Sequence, residues 1–152
     1  DYNSIEEYLK TSVAAGKISE EYAGLINLKR FEEFLQTDLG KRMGSAYKKG
    51  LLFREQPFIM ELGADMIDKE YPSDEKILVQ GIVDAFFFEN DKVYIVDYKT
   101  DRVEQGKAGE KALVERYHKQ LELYADTISR VTGKETGGCY IYSTCLKKEI
   151  LI

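Results

Sequence analysis

Proline, cysteine and histidine are nearly missing from this chain of 152 residues, which has two prolines, two cysteines and one histidine. The two thiols, Cys139 and Cys145, cannot make a four-cysteine zinc or iron–sulfur site. They read as reduced cysteines of a cytosolic protein. No apolar run approaches the ~20 residues that cross a bilayer, and no signal-peptide pattern opens the chain. A cytoplasmic protein with no membrane partner is expected. A positive balance is also lacking: 22 basic and 27 acidic side chains leave a net charge of −5. Binding of polyanions by bulk charge is excluded, but a local basic groove is not. No G-x-x-x-x-G-K-[ST] occurs, so the segment has no ATP site. There is no internal repeat, low-complexity tract or linker, and the start at Asp1 rather than Met suggests a piece of a longer chain.

What is present supports one packed domain. Hydrophobic residues make up 43% and aromatics 12%, enough for a real core. The first third is helical in pattern. Ser4 and Glu7 form a capping box for a helix to about Ala15, and Ser19 caps a longer helix carrying Leu25, Leu28, Phe31, Phe34 and Leu35. A further helical stretch from Thr37 to Tyr47 is expected to break at Gly44. Strands follow at Leu51–Leu62, Ile77–Phe88 and Val93–Lys99, with Pro57 marking an edge or bulge and 65–74 a polar loop. A helix over Glu110–Val131 and strands at Gly138–Thr144 and Lys148–Ile152 close the chain. The expected architecture is α/β: a mixed sheet flanked by helices, with a helical segment 1–50 before a sheet-bearing core 51–152.

The hairpin carries the first chemical signal. A turn at Asn90-Asp91 sets Phe88 opposite Val93 and Asp84 opposite Asp97. Directly opposed residues share a face with Cβ atoms ~4.5–5.5 Å apart. Lys99 lies on the Asp97 face, and Tyr98 points the other way. Two carboxylates inside apolar runs repel and lose hydration unless a cation or a proton sits between them. Oxygen ligands of this kind suit Mg²⁺ or Mn²⁺. A structural pair, with Lys99 bridging one aspartate and the other reaching solvent, satisfies the same pattern. So the hairpin alone leaves both open, and a one-residue slip would remove the pairing.

The long helix carries the second. Leu113, Tyr117, Leu121, Tyr124 and Ile128 form its apolar stripe. Gln120 falls inside it, one turn before Tyr124. Either the amide presents polar atoms to whatever the sheet face holds, or it reaches out at the rim. His118 lies off the stripe and reads as solvent-facing.

Taken in order, Gly81-Ile82-Val83-Asp84, Asp97-Tyr98-Lys99-Thr100-Asp101 and Gln120-Leu121-Glu122-Leu123-Tyr124 read G-x-x-D, D-Y-K-T-D and Q-x-x-x-Y. This set resembles the C-terminal nuclease domain of bacterial helicase–nuclease subunits of the AddA and RecB type, in the PD-(D/E)XK superfamily. Arg54-Glu55-Gln56-Pro57-Phe58 and the run from Phe34 to Arg42 are similar to the AddA branch. The resemblance spans roughly residues 20 to 150.

It implies a restriction-endonuclease-like core over 51–152 that cuts DNA phosphodiester bonds in double-strand-break repair. Asp84, Asp97 and the Tyr98 carbonyl would hold Mg²⁺ or Mn²⁺. Lys99 would orient water or stabilise charge, and Glu55 would assist through the metal or its water. Gln120 and Tyr124 would position Lys99 or the DNA backbone. Thr100 and Asp101 complete the signature without a role that follows from the residues. Implied partners are single-stranded DNA ends, helicase domains on the same chain and a second, AddB-like subunit. The family's metal-ligating His on an N-terminal helix has no match in His118. The resemblance places it before Asp1, so this piece is expected to bind metal and cleave weakly. Basic candidates for DNA contact are Lys41, Arg42, Lys48, Lys49, Arg54, Arg102, Lys107, Lys111, Arg116 and Lys119, with Arg116 foremost because it flanks Gln120. A catalytically silent nuclease-like domain that binds DNA or a partner is the alternative, and a stand-alone nuclease of the same superfamily is another.

Overall fold

A five-stranded sheet organises the chain in the computed structural model, which describes residues 2–66, 69–72 and 74–152. The strands are β1 (Leu52–Gly63), β2 (Lys76–Glu89), β3 (Lys92–Lys99), β4 (Glu135–Ser143) and β5 (Lys148–Leu151), in the order β1-β2-β3-β4-β5. Only β3 and β4 run parallel. Parallel neighbours need a crossover, and the 26-residue α5 (Lys107–Thr132) supplies it. Before the sheet come α1 (Tyr2–Ala14), α2 (Glu20–Leu25), α3 (Leu28–Gln36) and α4 (Asp38–Lys48). The mixed α/β architecture expected above is present.

The β2–β3 turn is made by Asn90 and Asp91, both left-handed (φ 51° and 63°). That is the backbone a two-residue type I′ hairpin requires, and Asn and Asp tolerate it better than other side chains. It fixes Phe88 opposite Val93 and Ala85 opposite Val96. Each sheet face buries one helical layer. On one side Leu113, Leu121 and Ile128 of α5 pack on Val93, Ile95 and Ile141. On the other, Leu39, Met43 and Ala46 of α4 pack on Ala85, Phe87 and Val96. At about 1.5–3 kcal/mol for each large apolar side chain, these two layers fix the sheet that holds the candidate residues.

Three sequence expectations are corrected. The helix capped by Ser19 is two helices. Ser19 accepts from Tyr22 N, while Asn27 caps a new start by accepting from Arg30 N at 3.3 Å. An Asn side chain offers the backbone an alternative to the helical ladder, so the apolar period continues while the helix does not. Gly44 breaks nothing, since α4 runs through it. Ser4 lies inside α1, not at its start. Of the loop expected at 65–74, residues 67, 68 and 73 lie outside the described residues, and Ala64–Met66 is a 3₁₀ turn. Pro57 sits on β1, an edge strand of the described sheet, which is where a residue without an N–H is tolerated.

Candidate active site

The alternation of β1 and β2 changes phase where the acids lie. On β2, Ala85 and Phe87 face α4, yet Val83 joins the α5 side together with Phe86. On β1, Leu52 packs on the α4 side, while Phe58, six residues on, meets Tyr124 of α5 ring-edge at 5.5 Å. The slip occurs at Glu55, whose φ is +50°. There the pairing passes from Arg54↔Ala85 to Gln56↔Val83 with no bonded pair between. The β2–β3 ladder likewise ends at Ala85↔Val96. Asp84 is therefore released from regular pairing on both sides, and its carboxylate accepts from the Tyr98 N–H at 2.9 Å. Strain at one non-glycine residue, of order 1–3 kcal/mol, goes with the freeing of this acid.

Asp97 is 2% exposed and lies beside Asp84. Its Oδ2 is 2.5 Å from Lys99 Nζ, an ion pair, yet that oxygen accepts no hydrogen bond of regular direction. Burial pushes the Asp97 carboxyl above the usual carboxylate range. Lys99 pulls it back, and the neighbouring Asp84 carboxyl pushes it up again. Lys99, 14% exposed, donates to Gln120 Oε1 at 3.1 Å. Gln120 Nε2 donates to Tyr124 OH at 2.7 Å. Gly81 makes this possible from the sheet side. A Cβ there would stand 2.8 Å from the Phe58 ring, the ring that Tyr124 rests on.

The sequence-chosen residues divide as follows. Asp84, Asp97, Lys99, Gln120 and Tyr124 form one connected cluster under α5. Tyr98 contributes its backbone there. Its side chain points to the other face, 38% exposed overall but with the hydroxyl turned in toward Met43 Sδ at 3.9 Å. Burial pushes that hydroxyl's pKa up to about 12. Glu55 stands across from Asp84 on β1 but is exposed, and no three acidic, histidine or cysteine side chains converge among the described residues. Arg116, 56% exposed, donates to Asp101 at 2.6 Å. Arg42 is occupied by Glu89, by the Tyr140 hydroxyl and by the Tyr94 ring 4.3 Å away. His118 bonds back to the Glu115 carbonyl of its own helix. Sequence reasoning missed Tyr117 as anything but core. Its ring centroid is 4.0 Å from Lys99 Nζ, and its hydroxyl donates to Asp101.

The donor set fits a hard divalent cation. Two adjacent carboxylates, one of them buried, are acceptor-only groups that repel each other, and the one ammonium beside them offsets a single charge. Mg²⁺ in particular takes one or two carboxylates and keeps several waters.

Residues 5–149 match the family described as the PD-(D/E)XK nuclease superfamily. The chain is 40% identical over 152 residues to an ATP-dependent helicase/nuclease subunit of Clostridium perfringens (strain SM101 / Type A), an alignment covering 97% of the chain and 12% of that protein. It is 40% identical over 141 residues to the protein of that name from Thermoanaerobacter sp. (strain X514), covering 91% and 11%. For Listeria monocytogenes serotype 4a (strain HCC23) the figure is 34% over 142 residues, again covering 91% and 11%. The chain thus spans about an eighth of the length of these curated relatives.

Proposed function

The chain belongs to the PD-(D/E)XK nuclease superfamily, and from that premise we propose that it hydrolyses DNA phosphodiester bonds with a bound divalent cation. The observation that carries the reading is Asp84 and Lys99 drawn into one cluster around the buried Asp97. Asp84 and Asp97 would hold Mg²⁺ or Mn²⁺, with the Tyr98 carbonyl as a further ligand. A cation bound there supplies a Lewis acid for the phosphoryl oxygen and makes a water more acidic. Lys99 stands where its ammonium offsets the negative charge that develops on the phosphate. Gln120 accepts from Lys99 and fixes its reach, and Tyr124 in turn holds Gln120. Glu55, exposed on the strand beside Asp84, would accept a proton from the attacking water. Arg116 would support DNA at the rim of the same helix.

The relatives' name, an ATP-dependent helicase/nuclease subunit, supports a nuclease joined to helicase domains, and we extend the proposal to an exonuclease that degrades single-stranded ends, beside a second, AddB-like subunit, in cytoplasmic double-strand-break repair. No helix among the described residues is long and apolar enough to cross a membrane. In this reading residues 51–152 are the catalytic core and 1–50 the helical segment before it.

The test is cleavage of end-labelled single-stranded DNA with Mg²⁺ or Mn²⁺, comparing wild type with Asp97→Ala. Losing the Lewis acid removes several kcal/mol of transition-state stabilisation, so the rate should fall about a thousandfold. A wild-type protein that binds DNA but never cuts it, whatever the cation, would leave the catalytically silent reading in its place.

A further inference from the structure

Lysine side chains are flexible, and an ammonium that must meet a scissile phosphate needs to be held in one place. Lys99 is held from three sides. Asp97 Oδ2 is 2.5 Å away and Gln120 Oε1 is 3.1 Å away. The third side is the face of Tyr117, 4.0 Å from Nζ to the ring centroid. If Asp97 holds a cation, its contact with Lys99 would weaken. The ring keeps attracting the ammonium through its negative face.

Tyr117 is itself held. Its hydroxyl donates to Asp101, 2.8 Å from Oδ1 and 3.0 Å from Oδ2. Arg116 donates to the same carboxylate at 2.6 Å. Asp101 lies two residues past Lys99, beyond the end of β3, while Tyr117 and Arg116 are on α5. The acid therefore ties the strand end to the helix at the level of the ammonium. We propose that Asp101 and Tyr117 are positioning residues for Lys99: Asp101 fixes the Tyr117 ring, and the ring fixes the ammonium against the phosphate site. This gives Asp101 a task inside the site, and it rests on the assignment of Lys99 to the nuclease site.

The contact has a spectroscopic signature, because protons above an aromatic face resonate upfield. In the metal-free 152-residue chain without DNA, the Lys99 ε-methylene signal should lie upfield of the other lysines. Tyr117→Leu should return it to the ordinary position. Asp101→Ala and Tyr117→Phe should each move it part of the way, because the ring remains but is no longer tethered. Should Tyr117→Leu fail to fold, Tyr117→Phe, which keeps the ring volume, carries the test. In Mn²⁺-dependent cleavage, kcat should fall roughly tenfold for Tyr117→Leu while KM for DNA changes less than twofold. A Lys99 signal at the ordinary position in wild type, or one unmoved by Asp101→Ala, would overturn the proposal. So would a rise in KM with kcat unchanged, which would make Asp101 and Tyr117 part of the DNA-binding surface. The spectrum is read without metal or DNA. It decides the positioning role even if the wild type cuts nothing, and the absence of cutting would count against the nuclease reading alone.

Discussion

Among single residues, Asp97 is a buried carboxylate between an ammonium and a second acid, and the order of causes decides what a substitution does. Burial comes first in raising its carboxyl, the Lys99 ammonium opposes it, and the Asp84 charge adds to the rise. Removing Asp97 would strand Lys99, so Asp84 is the cleaner site to alter. Asp84→Asn keeps an oxygen to accept from Tyr98 N and removes the like charge. It should stabilise the metal-free protein by about 1 kcal/mol, a rise in Tm of about 2–4 °C for a domain this size. A thermal melt in chelator that shows no rise would weaken the paired-acid account. The nearness of Asp84 and Asp97 was legible in the sequence because the two-residue turn fixes register as far as Ala85↔Val96, the pair next to them. The ring of Tyr117 over Lys99 was not, since it depends on how α5 docks across the sheet. A tyrosine in an apolar stripe announces only burial.

Between elements, the site depends on a close approach that only glycine allows. Phe58 lies across Gly81 and supports Tyr124 of α5, which holds Gln120. Gly81→Ala would bring a Cβ to 2.8 Å from the ring. A strand gains about 0.5–1 kcal/mol when alanine replaces glycine, but overpacking a buried ring costs about 1–3 kcal/mol. The clash wins, so the urea midpoint should drop by the equivalent of about 1 kcal/mol, and cleavage should fall with it as Tyr124 and Gln120 shift. A midpoint at or above wild type would show that the ring yields freely and that α5 is not seated through it. The G-x-x-D spacing thus has a packing reason as well as a chemical one. The α5 crossover and the hairpin followed from periodicity and turn residues, whereas the strand order is set by how the elements dock. The division at Asn27 did not, because the amphipathic pattern runs on across it. Nor did the phase slip at Glu55, where a left-handed glutamate leaves no compositional mark.

For the molecule as a whole, a net charge of −5 draws cations in and opposes DNA, so the general field aids metal capture while DNA must be held by local contacts. Binding to the folded state alone stabilises it by mass action, about 2.7 kcal/mol at a hundred times Kd. For 152 residues that is a rise in Tm of about 5–10 °C. Titrating Mn²⁺ or Mg²⁺ into the wild type should produce that rise, and chelator should reverse it. Asp97→Ala should not respond, because the buried ligand is gone. Asp84→Asn should start above the wild type without metal and finish below it with metal. Such a crossing separates the site from general effects: a variant that merely loosens the fold lies below the wild type in both conditions, and non-specific ion effects shift all three proteins alike. If the wild type gains nothing at millimolar metal while remaining folded, Asp84 and Asp97 form a structural pair bridged by Lys99, and hydrolysis at this cluster loses its physical basis.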